Sequence, residues 1–553
     1  MKKINRLTLV LTLMAAGLFA GCASDEEATR ENQKIALDGS HFKFTEVAYQ
    51  ADQTVTRAAA SVKPTTVDLG DGLEAEVSVT PDAPTGKTRA VDPISDGKYT
   101  ILAFDPTTHD LQGKLEGSVT GGVFTPDAGQ KLLLDPGTYD FTCFSEPVVY
   151  DEPNNRLVVN HLLTKSPTIG HVQATIAGDD YEVAFNMEHK SARVRFNITS
   201  DILSENTPID AYLQGTTFLT GYWMQDWYTA YSGALNNTGN FWYNTPQPLT
   251  FTNIAPVTTQ TGTTCTSAYG YMLPSTASYN SLKDYTLHFT AGTIGGGSLA
   301  SKTINLSGAT FPTGFQWDYN QSITINVNVK GQLYLFEDGK ARVLAGKGTH
   351  TPIGLVIQQK WGDKEGTACG LTRVGSFSSH DVIGNSTVES NVTPSPASFE
   401  EAAKDMNGYQ WTYSPDLQGN VRANDPINNT VFYKVARYSP GVSVASNVGK
   451  WYLPALGELV KLIQLFDKSY TPKNAEIWSG RYTGFTAKFK KAFQAANPST
   501  DFSGNVWPTS TQMKLGSSYP YTYFGIWDSE AVVFGSDGTG WDSRVLVPFV
   551  HYK

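Results

Sequence analysis

The sequence predicts a mainly β protein, with two β-sandwiches followed by a separate α+β unit. Stretches in which every second residue is apolar recur from about residue 66 to residue 336, separated by turn residues, a pattern typical of half-buried strands. Charged residues make up only 17% of the chain and aromatic residues 12%, which favours extracellular β-structure over a disordered chain. Seven of the eleven tryptophans follow residue 337, where helical patterns also appear.

The length and the charge of the chain limit the number of domains and the class of partner. At 553 residues the chain has room for three or four domains, since one domain typically takes about 100–200 residues. The net charge of −10 argues against nucleic-acid binding. We expect five successive regions: a signal peptide at 1–22, a tether at 23–65, a first sandwich at 66–188, a second sandwich at 189–336 and an α+β unit at 337–553.

The first region has the composition of a bacterial lipoprotein signal. Basic residues precede an apolar run at 7–20, which is too short to span a bilayer at about 20 residues. Ala20 and Gly21 before Cys22 resemble a lipobox, whose cysteine receives a lipid after cleavage, and the acidic stretch 23–27 resembles the tag of surface lipoproteins. We therefore expect lipid on Cys22, with an ordinary secretory signal as the alternative.

The clearest strand pattern lies at residues 73–80. Leu73, Ala75, Val77 and Val79 alternate with polar residues, so they should share one buried face. We expect this segment to be the first strand of the first sandwich. Similar runs predict strands at 99–104, 131–134, 181–187, 192–198, 285–289 and 323–329.

Helical spacing is confined to the third unit. Residues 456–466 and 483–496 place apolar residues on one helix face, and Ser398 with the acidic residues after it is typical of a helix start over 398–407. These segments predict an α+β unit.

Motifs of catalysis and of metal binding are missing from the sequence. It has no His-Glu-x-x-His pair, nucleophile elbow, phosphate loop or dinucleotide fingerprint, so we expect neither an enzyme nor a cofactor. The loop at 537–542 resembles a calcium loop only in part, and we predict no metal site. Cys143, Cys265 and Cys369 are too few and too widely spaced for a disulfide framework, and should be buried small hydrophobes.

Four segments in order resemble the fimbrillins, the type V pilin family of Gram-negative anaerobes. They are the strand at 73–80, the Thr-Arg-Ala at 88–90, the strand at 98–105 and the strand at 189–196. The resemblance covers about residues 23–336. It implies a lipoprotein precursor, two transthyretin-like sandwiches and a cut by an Arg-specific protease after the first strand.

The resemblance implies a cut between Arg89 and Ala90, in the linker after the alternating strand. Removal of strand 73–80 would leave an open sheet edge and an apolar groove, a template for a strand from another subunit. Arg57 and Ala58 form the competing site. They precede the strand, so we expect a cut there to open no groove.

The C-terminal third resembles the modules related to the C-type lectin fold. Residues 449–459, 506–511 and 538–548 match the family's motifs in the family's order. The residues that carry the match are Trp451, Leu453, Pro454, Glu458, Trp507 and Trp541. They are fold-defining residues in that family. The cysteines of the animal lectins and their Glu-Pro-Asn motif are absent, so the resemblance does not imply calcium-dependent sugar binding.

These observations together predict a cell-surface fimbrial subunit, with the role of tip adhesin. Its partners would be other pilin subunits through strand donation, a glycan or protein ligand, and the outer membrane through the lipid of the precursor. The alternatives are an uncleaved glycan-binding surface lipoprotein, a pilus anchor subunit, and a hydrolase with an unrecognised site.

Overall fold

The protein is mainly β, as the sequence predicts. The computed structural model describes residues 34–49, 63–82, 94–160, 165–177, 181–215, 222–242, 248–274, 282–312, 315, 318–374, 376–377, 398–415, 419–474, 486–499, 505–514, 520–527, 532–537, 544–545 and 547–553. These residues form thirty-five strands and five α-helices. No helix among them is both long enough and apolar enough to cross a membrane.

Four strands lie in the N-terminal segment. They are β1 (Ile35–Leu37), β2 (Phe42–Glu46), β3 (Thr65–Gly70) and β4 (Leu73–Pro81). The prediction of a tether at 23–65 is therefore wrong for β1 and β2. Leu37 and Phe42 are at most 4% exposed, because the two strands complete the first sandwich instead of running free.

The first sandwich is built from nine further strands. They are β5 (Gly97–Phe104), β6 (Leu111–Thr120), β7 (Val123–Pro126), β8 (Leu132–Leu134), β9 (Gly137–Ser145), β10 (Val148–Asp151), β11 (Arg156–Asn160), β12 (Thr168–Ile176) and β13 (Val183–His189). A seven-stranded sheet has the order β2-β13-β12-β9-β5-β6-β7, and β1 pairs with β8. Between them lies a core that includes Ile101, Phe141 and Phe185.

The second sandwich follows without a linker. Its strands are β14 (Ala192–Ser200), β15 (Thr207–Gly215), β16 (Tyr222–Thr229), β17 (Leu235–Trp242), β18 (Leu249–Ile254), β19 (Pro256–Thr259), β20 (Gly262–Thr266), β21 (Gly270–Met272), β22 (Tyr285–Ile294), β23 (Gly297–Ser298), β24 (Thr303–Asn305) and β25 (Ser322–Gly331). One sheet has the order β19-β20-β14-β25-β4-β3, with β21 on β14. The other has the order β18-β15-β22-β23, with β24 on β22.

Two predicted boundaries of the second sandwich need correction. β4 pairs with β25, so the strand at 73–80 belongs to the second sandwich and not to the first. β16 and β17 form a four-stranded sheet with β10 and β11 of the first sandwich, so no clean division falls between residues 188 and 189. In both cases the alternation predicts a buried face correctly, but it carries no information on which sheet provides the partner strand.

The third unit combines two five-stranded sheets with short helices. Its elements are β26 (Leu333–Phe336), β27 (Ala341–Val343), β28 (Pro352–Gln358), β29 (Gly366–Gly370), β30 (Ser376–Phe377), α1 (Phe399–Ala402), α2 (Gly408–Tyr413), α3 (Thr430–Val435), α4 (Leu456–Phe466), α5 (Thr486–Ala496), β31 (Asn505–Lys514), β32 (Pro520–Trp527), β33 (Val532–Asp537), β34 (Arg544–Val545) and β35 (Phe549–Tyr552). The sheet orders are β27-β26-β28-β29-β35 and β30-β34-β31-β32-β33.

The helical patterns of the third unit are largely confirmed. α4 has the predicted bounds, and α5 covers the described part of 483–496. The Ser398 hydroxyl accepts the N–H of Glu401 at 3.3 Å, as expected of a helix start, but α1 ends at Ala402 and not near 407. The predicted start of this unit at 337 is late, because β26 already belongs to its sheet.

Candidate functional site

The inward face of β4 fills the core of the second sandwich. Its four inward residues are at most 1% exposed, as the alternation predicts: Leu73, Ala75, Val77 and Val79. They share this core with residues of β14 and β25, among them Phe196 and Val327. The opposite face of the strand carries polar residues, where Glu76 accepts hydrogen bonds from Lys330 and from Asn328.

The backbone of β4 closes an edge of the sheet. β4 pairs antiparallel with β25 over nine residues, and on its other side it pairs with β3 and, at Ser78, with Thr310. Loss of β3 and β4 would therefore leave β25 with a row of unpaired N–H and C=O groups beside an apolar groove. Such an edge readily accepts another strand.

One end of the groove lies where β4 begins. Leu73 lies against Gly297 and Gly331, where a β-carbon would be 3.2 Å from Leu73 Cδ1 and 2.9 Å from Leu73 Cδ2 respectively. Any larger residue at Gly331 would therefore intrude on the Leu73 side chain. The two glycines make this end of the groove a pocket for a large apolar side chain.

A polar cluster holds the other end of β4. Asp82, directly after the strand, accepts hydrogen bonds from four side chains. The Tyr269 hydroxyl and the Ser322 hydroxyl reach Oδ2, both at 2.5 Å. The Thr324 hydroxyl and the Arg195 guanidinium reach Oδ1, the latter at 3.3 Å. We call these residues the Asp82 cluster.

Two arginines fix the direction of these hydrogen bonds. Arg193 Nε donates to the Ser322 hydroxyl at 2.7 Å, and Arg195 Nε donates to the Thr324 hydroxyl at 3.0 Å. Since each hydroxyl accepts from an arginine, its own proton is available for Asp82. Burial raises the pKa of Asp82, but the hydrogen bonds from Ser322, Thr324 and Tyr269 and the Arg195 charge outweigh it and lower the pKa overall.

β2 plays the corresponding part in the first sandwich. It pairs parallel with β13 along its whole length, from Phe42 beside Val183 to Glu46 beside Met187. The Phe44 ring stacks on Phe185 with the centroids 5.6 Å apart. β2 is the terminal strand of its sheet, so its loss would expose β13.

A second polar cluster anchors the segment after β2. Glu46 accepts the backbone N–H of Ser95 at 2.7 Å and lies 3.3 Å from His189 Nε2. The Tyr49 ring stacks on His189 at 3.8 Å, and the Arg193 guanidinium lies 4.3 Å from the Tyr49 ring centroid. Because Arg193 also contacts Tyr269, 4.2 Å away, and Ser322, it connects this cluster to the Asp82 cluster.

The predicted processing residues lie outside the described residues: Cys22, Arg57, Ala58, Arg89 and Ala90. The expectation that a cut at Arg57 would open no groove is wrong. β1 and β2 precede Arg57 and are built into the first sandwich. A cut at Arg57 would therefore free an edge of the first sandwich, whereas a cut at Arg89 would free an edge of each sandwich.

The described residues of the lectin-like motif lie buried in the third unit, around the contact between α4 and β31. Trp451, Leu453, Glu458 and Trp507 are at most 6% exposed. The backbone carbonyl of Pro454 accepts the N–H of Ser510 at 2.8 Å, which ties the start of α4 to β31. Trp541 lies outside the described residues.

Glu458 caps the first turn of α4 from inside the protein. It accepts the Tyr452 hydroxyl and the Ala455 N–H, both at 2.7 Å. Burial raises its pKa to about 8. These contacts support a structural role for Glu458, whose carboxylate lies inside the protein and not at its surface.

Neither polar cluster is predicted from the sequence. Asp82 follows Pro81, where a turn residue is unremarkable, and its partners come from three distant parts of the chain. The two arginines lie in the segment 189–196, but their spacing alone does not indicate which carboxylate they contact. Across the described ranges, no group of three His, Cys, Asp or Glu side chains is placed to hold a metal ion.

The chain is similar to several solved structures of Bacteroides proteins. No protein-family model matches the sequence, and no curated protein matches it. Among solved structures, a candidate cell adhesion protein from Bacteroides fragilis is 12% identical, with a TM-score of 0.32, over 59% of this chain and 99% of that one. A fimbrial protein from Bacteroides ovatus is 10% identical, with a TM-score of 0.26, over 94% of this chain and 100% of that one. At such TM-scores these likenesses carry no weight for the fold or the function of this chain.

Proposed function

We propose that the chain is a cell-surface fimbrial subunit and the tip adhesin of its fimbria. One observation chiefly supports this: the segment 34–82 closes an edge in each sandwich, and the linker with Arg89 follows it. An Arg-specific protease cuts between Arg89 and Ala90. The freed segment then gives way to a strand donated by another subunit.

The energetics favour replacement of the segment over its simple loss. Burial of Leu73, Val77 and Val79 contributes about 1.5–3 kcal/mol for each side chain, and an open edge leaves β25 without its backbone partners. A cut chain therefore retains its segment until a competing strand with a similar apolar face arrives. That behaviour suits a subunit that is processed first and assembled afterwards.

The position of the third unit supports the tip assignment. It follows the second sandwich directly, at the place where a shaft subunit of the resembled family would carry its donor strand. β35 is an integral strand: it pairs with β29, and Phe549 exchanges backbone hydrogen bonds of 2.8 and 3.0 Å with Tyr452. The lectin-like unit then presents the surface that binds a glycan or a protein.

Lipid on Cys22 would hold the precursor in the outer membrane until the cut. Because Cys22 and the strands β1 to β4 all precede Arg89, one cut removes both the anchor and the strands. Localisation thus changes from outer-membrane lipoprotein to fimbrium in a single step.

The test is the N-terminus of surface-assembled protein, with two matched variants. We expect the mature chain to begin at Ala90. Arg89→Lys keeps the charge but should block an Arg-specific cut, so that the lipidated precursor accumulates. Arg57→Lys should process like the unmodified protein. A mature chain that begins at Ala58 would contradict the proposal, since β3 and β4 would then stay in place.

One observation favours a second candidate, an uncleaved glycan-binding lipoprotein or a pilus anchor. In the intact chain β2 and β4 already complete the two sandwiches, so the protein needs no partner strand to fold. Assembled or surface material that keeps the lipid on Cys22 would support this candidate. A chain that starts at Ala90 would exclude it.

A further inference from the structure

We propose that the second sandwich selects its incoming strand by a carboxylate, which takes the place of Asp82 in the Asp82 cluster. The inference rests on the proposed function, because it requires β3 and β4 to be replaced by a donated strand. It adds a determinant of partner choice that the apolar groove alone does not supply.

The cluster is arranged to bind an anion. Ser322 and Thr324 each accept from an arginine and so turn their own protons towards the Asp82 oxygens. Tyr269 adds a hydroxyl at 2.5 Å. If a strand without an acceptor took the place of Asp82, these donors would be buried without a partner, and unmet buried donors are costly.

The charge balance points the same way. Arg193 and Arg195 both reach the cluster through their Nε atoms, and both guanidiniums lie over the Tyr269 ring, at 4.2 and 4.8 Å. Ser322 and Thr324 are only 1% and 7% exposed, so water screens the site poorly. A neutral side chain in this position would leave positive charge uncompensated, whereas a carboxylate restores the balance.

The register defines the partner strand further. We infer that the donated strand runs as β4 does, antiparallel to β25. It should begin with a large apolar residue for the pocket at Gly297 and Gly331, followed two residues later by a small one. Two further inward aliphatic residues come next, and the carboxylate stands three residues after the last of them, as Asp82 does after Val79.

The experiment uses the full chain with the site of a sequence-specific protease placed in the 83–88 linker. After the cut, labelled peptides of residues 63–82 compete for the groove, and their affinities are measured. We expect a peptide with Asp82→Asn to bind roughly 10- to 100-fold more weakly than the unmodified peptide. The matched control is Glu74→Gln, which removes an exposed carboxylate from the polar face of the same strand and should change affinity less than about 3-fold.

The outcomes separate this inference from the proposed function. The carboxylate pocket and strand exchange are both supported if the peptide of the natural sequence binds and the Asp82→Asn peptide binds poorly. Equal binding by these two peptides would overturn the carboxylate pocket while leaving strand exchange intact. Entry of no peptide would overturn strand exchange, and the pocket with it.

Substitutions of the groove residues that donate to Asp82 test the same contacts from the other partner. In the full chain, Tyr269→Phe keeps the ring and removes one donor, and Arg195→Gln removes one charge. Each should reduce the preference for Asp82 over its asparagine variant by roughly 3- to 10-fold. An undiminished preference in both variants would overturn the assignment of these donors.

Discussion

At the scale of single residues, Asp226 of β16 is a buried carboxylate away from the groove with one oxygen that lacks a partner. It is fully buried and accepts the Tyr319 hydroxyl at Oδ2, 2.6 Å away. Its Oδ1 has no hydrogen-bond partner among the described residues. Burial raises its pKa to about 6.

We predict that Asp226→Asn stabilises the protein at neutral pH and not in acid. The native pKa lies above the unfolded value of 3.8. Ionisation therefore costs the native state nothing below about pH 4, an increasing amount between about pH 4 and 6, and a constant amount above. The variant should gain about 1–2 kcal/mol above about pH 6, since the buried amide offsets part of the relief.

The measurement is thermal unfolding at about pH 4 and about pH 7.5, on either side of the native pKa. Asp127→Asn serves as the control, because Asp127 is exposed and its loss should have little effect at either pH. A gain in acid equal to that at neutral pH would mean that the charge of Asp226 is not the cause.

At the scale of elements, the start of β4 depends on the space left by Gly331. A β-carbon there would lie 2.8 Å from Val343 Cγ1 and 2.9 Å from Leu73 Cδ2. We predict that Gly331→Ala destabilises the second sandwich by about 1–3 kcal/mol through overpacking. Urea unfolding followed by tryptophan fluorescence would measure the change.

The Leu73 side chain provides a coupled test of the same contact. Leu73→Ala alone should cost about 2–5 kcal/mol, but in the Gly331→Ala background it should cost less, since the clash is relieved. Gly308→Ala is the control, because a β-carbon there meets no heavy atom within 4 Å. Strict additivity of the two substitutions would show that they do not share one pocket.

The elements also show how far the sequence can be interpreted. Alternation predicts the inward residues of β4 and β25, because the face on which a side chain lies is a local property of its strand. It could not identify their pairing, which joins residues far apart in the chain, such as Val77 and Val327, nor the parallel pairing of β2 with β13. β2 is only five residues long, too short for its alternation to stand out against a polar region.

At the scale of the whole molecule, the second sandwich and the third unit are joined by specific polar contacts. The Gln359 amide donates to the carbonyl of Asp201 at 2.7 Å and accepts the N–H of Leu203 at 2.9 Å. Val343 donates its backbone N–H to Gly295 at 2.9 Å. These contacts fix the third unit to the sandwich.

We predict that Gln359→Ala weakens this join by about 1–2 kcal/mol, since two hydrogen bonds are lost. Calorimetry should then show the unfolding of the third unit and of the second sandwich moving apart in temperature. Gln358→Ala is the control, because Gln358 is exposed at the end of β28, next to Gln359 in the chain. Identical traces for both variants would argue against a structural role of the Gln359 amide.

The threading of the segment 34–82 through both sandwiches has a consequence for the time before assembly. Exposed sheet edges readily pair with other chains and aggregate. Because one covalent segment pairs with both β13 and β25, the grooves beside these two strands are filled by the chain's own sequence until the segment is displaced. A cut at Arg89 would separate β2 and β4 from the rest of the chain in the same event. Neither groove could then accept a strand from another copy of the protein before the other.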